Sequence, residues 1–101
     1  MTKEQVAAHL AATNPEAVIH RWLDEALIGY VHRLGAPPLA LYDLDRCVEI
    51  ARRNGWDWPG AEEFIRDLLV RLWWGEGTPA FAVLIPPETS TGAQTWTTKL
   101  Q

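Results

Sequence analysis

Between Ala51 and Phe81 the chain reads ARRNGWDWPGAEEFIRDLLVRLWWGEGTPAF, and no other stretch constrains its folding as much. Asn54 and Gly55 close one helix, because both residue types accept the left-handed backbone that ends a helix. Asp57, Trp58 and Pro59 start the next. Proline at the first helical position loses no hydrogen bond, and Glu62 and Glu63 fall at the positive end of the helix dipole. Phe64, Ile65, Leu68, Leu69, Leu72 and Trp73 give this helix an apolar arc about half its circumference wide. Glu62 with Arg66, and Asp67 with Arg71, have the spacing of bracing ion pairs. Gly75 and Gly77 stop the helix, and AFAVLI, between Pro79 and Pro86, has the length and flanks of a buried strand. Val70 and Trp74 break the pattern. Four residues apart, they share the polar side with Glu63 and Asp67, which predicts either a covering element or an apolar patch.

Upstream, Thr2 and Gln5 have the spacing of a capping box and predict a helix over about 3–12. Its apolar positions, Val6, Ala7, Leu10 and Ala11, are mostly small, so it packs peripherally. Asn14 followed by Pro15 reads as a second helix start. From Val18 to Leu34, apolar residues recur at three- and four-residue steps, including Trp22, Leu23, Leu27, Tyr30 and Val31. The spacing predicts the chain's longest helix, ended by Gly35, Pro37 and Pro38. Asp43 caps a third helix running to about Arg53, with Leu44, Cys47, Val48 and Ala51 as its apolar stripe. Cys47 within that stripe reads as a small buried hydrophobe. The C-terminal TWTTKLQ has strand-like Thr and Trp content and pairs with AFAVLI as a hairpin. The expected architecture is therefore a single globular domain over 1–101, mainly α, with about four helices and a small C-terminal β-hairpin.

Composition narrows what such a domain can do. Thirteen acidic against nine basic residues give a formal net charge of −4, which offers no general attraction for phosphate backbones or anionic lipid. One cysteine excludes an internal disulfide and fits a reducing, cytoplasmic setting. The N-terminus has no continuous apolar run and reads as neither signal peptide nor anchor, and no window has the length of a membrane helix.

Chemistry finds little support. His20 and Asp24 share a predicted helical face but are only a pair, short of a metal site, and Ser90, the only serine, has no neighbouring His or Asp to activate it. GEGTP, Gly75 to Pro79, follows a helix instead of opening one and carries Glu76, so it is a turn rather than a phosphate cradle. The expectation is a non-enzymatic protein without catalytic, cofactor or metal residues.

Helix, helix and hairpin in that order resemble the winged-helix family. The resemblance implies a DNA-binding regulator in which the Phe64-bearing helix reads the groove, with Arg46, Arg52 and Arg53 as the only basic cluster. Glu62, Glu63 and Asp67 would then face phosphates, which makes this the alternative and not the first choice. The series YDLDRCVEI, RNGW, AEEF and GEGTPAF, over about 42–81, resembles small uncharacterised proteins carried by phages and mobile elements. That resemblance implies a small acidic protein that binds a host or viral protein or nucleoprotein complex, a host-defence inhibitor being one form. The residues expected to carry such a contact are Glu63, Asp67, Val70 and Trp74, with self-association as another outlet for the same apolar pair.

Overall fold

A computed structural model describes residues 1–85 of the chain. Its elements run α1 (Lys3–Thr13), a 3-10 helix (Arg21–Ala26), β1 (Leu27–Arg33), β2 (Ala36–Asp43), α2 (Leu44–Arg53), α3 (Ala61–Arg71) and β3 (Ala80–Ala82). The strands form one sheet in the order β1-β2-β3. β1 and β2 are antiparallel neighbours, and β3 joins β2 in parallel. The mainly α architecture is therefore overturned, and the winged-helix likeness with it. The sheet is built in the middle of the chain, and of the run AFAVLI, expected as a buried strand, only Ala80–Ala82 pair with β2, half-buried, while Val83, Leu84 and Ile85 lie exposed beyond the strand. The remaining half of the expected hairpin, TWTTKLQ, lies outside the described residues.

The expected long helix over 15–34 does not form. Asn14 caps the C-terminus of α1 instead of opening a new helix: its side-chain amide donates to the Pro38 carbonyl at 2.8 Å and its Oδ1 accepts from the Glu16 N–H at 3.3 Å. From Leu27 the residues LIGYVHR form a strand. Ile28, Tyr30 and Val31 favour a pleated surface, while Gly29 would cost a helix interior about 1 kcal/mol. Leu34 and Gly35 make a two-residue turn, with Gly35 at φ 71°. The left-handed tolerance that reads as a helix stop thus serves a hairpin. Pro37 and Pro38 sit within β2, opposite an irregularity in β1 between Val31 and Arg33. β3 pairs only with Leu41 to Asp43, so the prolines do not interrupt that ladder.

Elsewhere local chemistry and structure agree. The Thr2–Gln5 capping box forms, with reciprocal bonds of 2.7 and 3.1 Å. Asp43 caps α2 by accepting from the Arg46 N–H, and Asn54 ends that helix. α2 and α3 supply the long connection that parallel β2 and β3 require. α3, however, is shorter than its apolar arc: it begins after Gly60, held at φ 85°, and ends at Arg71.

One hydrophobic cluster joins these elements. α1 contributes Val6 and Leu10, the 3-10 helix Leu23 and Ala26, β2 Ala40 and Tyr42, and α3 Ile65 and Leu69; Cys47, Val48 and Ile50 enter from α2. Each large aliphatic side chain buried here is worth about 1.5–3 kcal/mol relative to exposure. Tyr42 is fully buried, and its hydroxyl accepts from the His20 backbone N–H at 2.8 Å, pinning the irregular segment 14–20 to the sheet. Gly77 completes that join. The Val18 N–H donates to its carbonyl at 2.9 Å, and a Cβ on Gly77 would lie 1.9 Å from the Glu16 carbonyl oxygen.

Candidate interaction surface

The aromatic bulk lies outside this core. Trp22, Trp56, Trp58, Trp73 and Trp74, every tryptophan among the described residues, are between 39% and 68% exposed, whereas the largest fully buried side chains begin with Tyr42, Leu10 and Leu23. The reason is local. Residues 54–60 make an exposed connection between α2 and α3, so Trp56 and Trp58 stand at the surface by position. The 3-10 helix likewise buries Leu23 and Ala26 and turns Trp22 outward.

These indoles border a groove of about 560 Å³ between the 3-10 helix, the end of α2 and one flank of α3. Trp22 and Trp56 line it together with Ile65, Leu68 and Leu72; Asn54 is its polar member, and its amide is already committed to the Ile50 carbonyl at 2.7 Å. Beside it, Trp56, Trp58 and Phe64 form a triangle with ring centroids 5.9, 5.9 and 6.1 Å apart. Trp58 and Phe64 remain 45% and 49% exposed within that triangle. A concave apolar wall thus adjoins a half-exposed aromatic cluster.

A second face is ionic. Between α2 and α3 an open cleft of about 660 Å³ is lined by acids and arginines in alternation, among them Asp45, Arg46, Arg52, Glu62 and Arg66. Arg66 bonds Asp45, which raises its pKa, and lies 3.5 Å from Glu62. Arg46 lies 4.0 Å from Glu49, Arg52 pairs with Asp57 at 2.9 Å, and Arg53 with Glu25 at 2.8 Å. The last pair lowers the Glu25 pKa and raises that of Arg53, chiefly through their hydrogen bond. Each arginine of the basic cluster expected as the alternative nucleic-acid site thus has a carboxylate within ion-pair distance.

The residues expected to bind a partner are only partly brought together. Glu63, Asp67 and Val70 share the outer side of α3; Val70 is 63% exposed, and Asp67 pairs with Arg71 at 3.0 Å. Glu63 has no ion pair among the described residues. Trp74 lies three residues beyond the helix end, so its spacing from Val70 does not make a helical stripe. Its ring instead meets His20 edge-on, with centroids 4.4 Å apart, and its backbone N–H donates to Thr78 Oγ1. Sequence reasoning passed over Trp22, Trp56 and Trp58 as site residues. Their signal was available: WDWPG puts two indoles into turn chemistry, where no core face needs them.

Cys47 is buried, and burial, followed by the charge of Asp43, pushes its thiol pKa up to about 12. Burial lowers the His20 pKa, and its Nε2 has no hydrogen-bond partner among the described residues. The described residues bring together no group of three His, Cys, Asp or Glu suited to a metal ion, and none of their helices is long and apolar enough to cross a membrane. No protein-family model, curated protein or solved structure matches the chain.

Proposed function

We propose that this chain is a non-enzymatic interaction protein that acts by occupying a surface of another protein or nucleoprotein complex. The observation that carries this reading is the placement of its aromatics: five indoles are exposed, and two of them wall an apolar groove. Tryptophan is the residue type most enriched among side chains that dominate binding energy, and exposing it in a small acidic protein has a solubility cost that a contact function explains. Glu63, Asp67 and Val70 on the outer side of α3 add an acidic and apolar flank suited to a basic partner. Inhibition of a host-defence complex is one concrete form, in keeping with the phage-like pattern over 42–81. DNA binding has weaker support, because a phosphate would have to displace carboxylates from Arg46, Arg52 and Arg53.

Affinity capture from the native host, comparing the wild type with Phe64→Glu and with Glu63→Lys/Val70→Asp, tests this reading. Circular dichroism first confirms that the variants remain folded. A specific partner lost from either variant supports the proposal. Partners retained equally by all three proteins, or tight salt-sensitive duplex binding by the wild type, overturn it.

A further inference from the structure

We infer that the groove bounded by Trp22, Trp56 and Leu72 is the seat of a second copy of this chain, so that the protein is a two-fold dimer through its aromatic face. The inference rests on the contact function proposed above and assigns the occupant of one of its surfaces. Three features of the surface converge on it.

The first is area. Trp22, Trp56, Trp58, Phe64 and Leu72 are 55%, 41%, 45%, 49% and 38% exposed. With about 250 Å² for a fully exposed indole and somewhat less for the others, they leave roughly 500 Å² of apolar side-chain surface in water. A standard interface covers about 800 Å² per partner, and about 65% of a homodimer interface is apolar. The apolar demand of such a dimer is therefore about 500 Å², the amount this face supplies.

The second is shape. A two-fold contact brings the same patch together from both sides, so the patch must contain both a recess and something to fill it. Here the groove lies directly beside the Trp56–Trp58–Phe64 triangle, and Trp56 belongs to both. Each copy thus carries half-exposed rings directly beside a recess that can receive the rings of the other.

The third is charge. Near a two-fold axis each residue approaches its own counterpart, so an uncompensated charge repels itself. The charged residues flanking the groove in the chain are mostly paired within one copy: Arg52 with Asp57, Arg53 with Glu25, and Arg71 with Asp67. Arg21, beside Trp22, and Glu63, beside Phe64, have no ion pair among the described residues. The net negative charge of the chain therefore resides elsewhere, including Glu63 on the outer side of α3, which remains available to a foreign partner in the dimer.

Sedimentation equilibrium from about 1 μM to about 500 μM, a range that spans micromolar affinities, tests the inference. The wild type is expected to pass from monomer to dimer, and Phe64→Glu and Trp58→Glu to weaken the association about thirtyfold or more while keeping the wild-type circular dichroism. A folded variant that dimerises as the wild type does places the interface elsewhere and overturns the inference. A wild type that remains monomeric also overturns it, and binding of the apolar dye ANS then separates the causes. A monomer that binds ANS, and loses that binding in Phe64→Glu, has an open groove for another protein, so the dimer fails while the contact function stands. A monomer that binds ANS only after Trp96→Ala assigns the groove to the chain's own C-terminal residues. A monomer that binds no ANS in either background lacks the apolar surface, and both readings fail.

Discussion

At the scale of single residues, the join between segment 14–20 and the rest of the protein is the most exacting part of the fold. Gly77→Ala would place a methyl group against the Glu16 carbonyl, where the nearest atoms are backbone and cannot rotate away. A loss of about 2–3 kcal/mol is expected in urea denaturation. Tyr42→Phe keeps the buried ring but leaves the His20 N–H without its acceptor, for a loss of about 1–2 kcal/mol. His20 itself gives the stability a pH dependence. Burial lowers its folded pKa, so once pH falls below the ordinary value of about 6.5 the unfolded chain binds a proton that the folded chain resists. Stability is undiminished above that pH and declines as pH falls from there towards the lower folded pKa. A urea midpoint lower at about pH 5.5 than at about pH 7.5, with a smaller difference in His20→Gln, is the expected result. Equal pH dependence in both proteins would remove His20 as the cause.

At the scale of elements, what could be read from the sequence was what short-range chemistry decides. Thr2 with Gln5 fixes the start of α1, and Asp43 and Asn54 bracket α2, because each cap is a bond within a few residues. The stripe position of Cys47 likewise anticipates its burial. A thiol with a pKa of about 12 is expected to resist Ellman's reagent in the folded protein and to react on unfolding. What could not be read was decided by partners distant in sequence. Three- and four-residue spacing over 18–34 is satisfied by a helix when counted along the chain, but β1 exists because Leu39 to Tyr42 lie opposite it, and segment 14–20 is held by Pro38, Tyr42 and Gly77. Gly35 and the two prolines after it signal a change of direction without saying what changes direction. The hairpin reading has its own test: Gly35→Ala, forcing a Cβ into φ 71°, should cost about 1 kcal/mol or more in thermal unfolding. A neutral or stabilising effect there would be incompatible with the turn. The candidate surface shows the same division. That Glu63, Asp67 and Val70 share one side of α3 was legible because α3 is locally encoded. Trp74 was misplaced because the helix ends at Arg71, and the groove was invisible because the 3-10 helix brings Trp22 to α3 across the fold.

At the scale of the whole molecule, the distribution of aromatics separates this protein from an ordinary domain of its size. A chain with 48% hydrophobic residues and six tryptophans would be expected to spend its indoles on the core, yet Leu, Ile, Val, Ala and one Tyr fill most of it. The core and the exposed aromatic surface thus use different residue types, so the surface can be altered while the cluster around Tyr42 and Leu23 is left intact. Intrinsic fluorescence reads this directly. In a Trp96→Phe background, which leaves only the five described indoles, the dilute folded protein should emit close to a solvated indole. Acrylamide should quench most of that emission, and urea should shift its maximum little, because unfolding gives these rings only part of their exposure. Raising the protein concentration should move the emission to the blue as Trp22, Trp56 and Trp58 are covered, and Phe64→Glu should abolish that shift. A strongly blue, poorly quenched emission at every dilution would mean that the indoles are packed within a single chain, and the division of labour between core and surface would then be wrong.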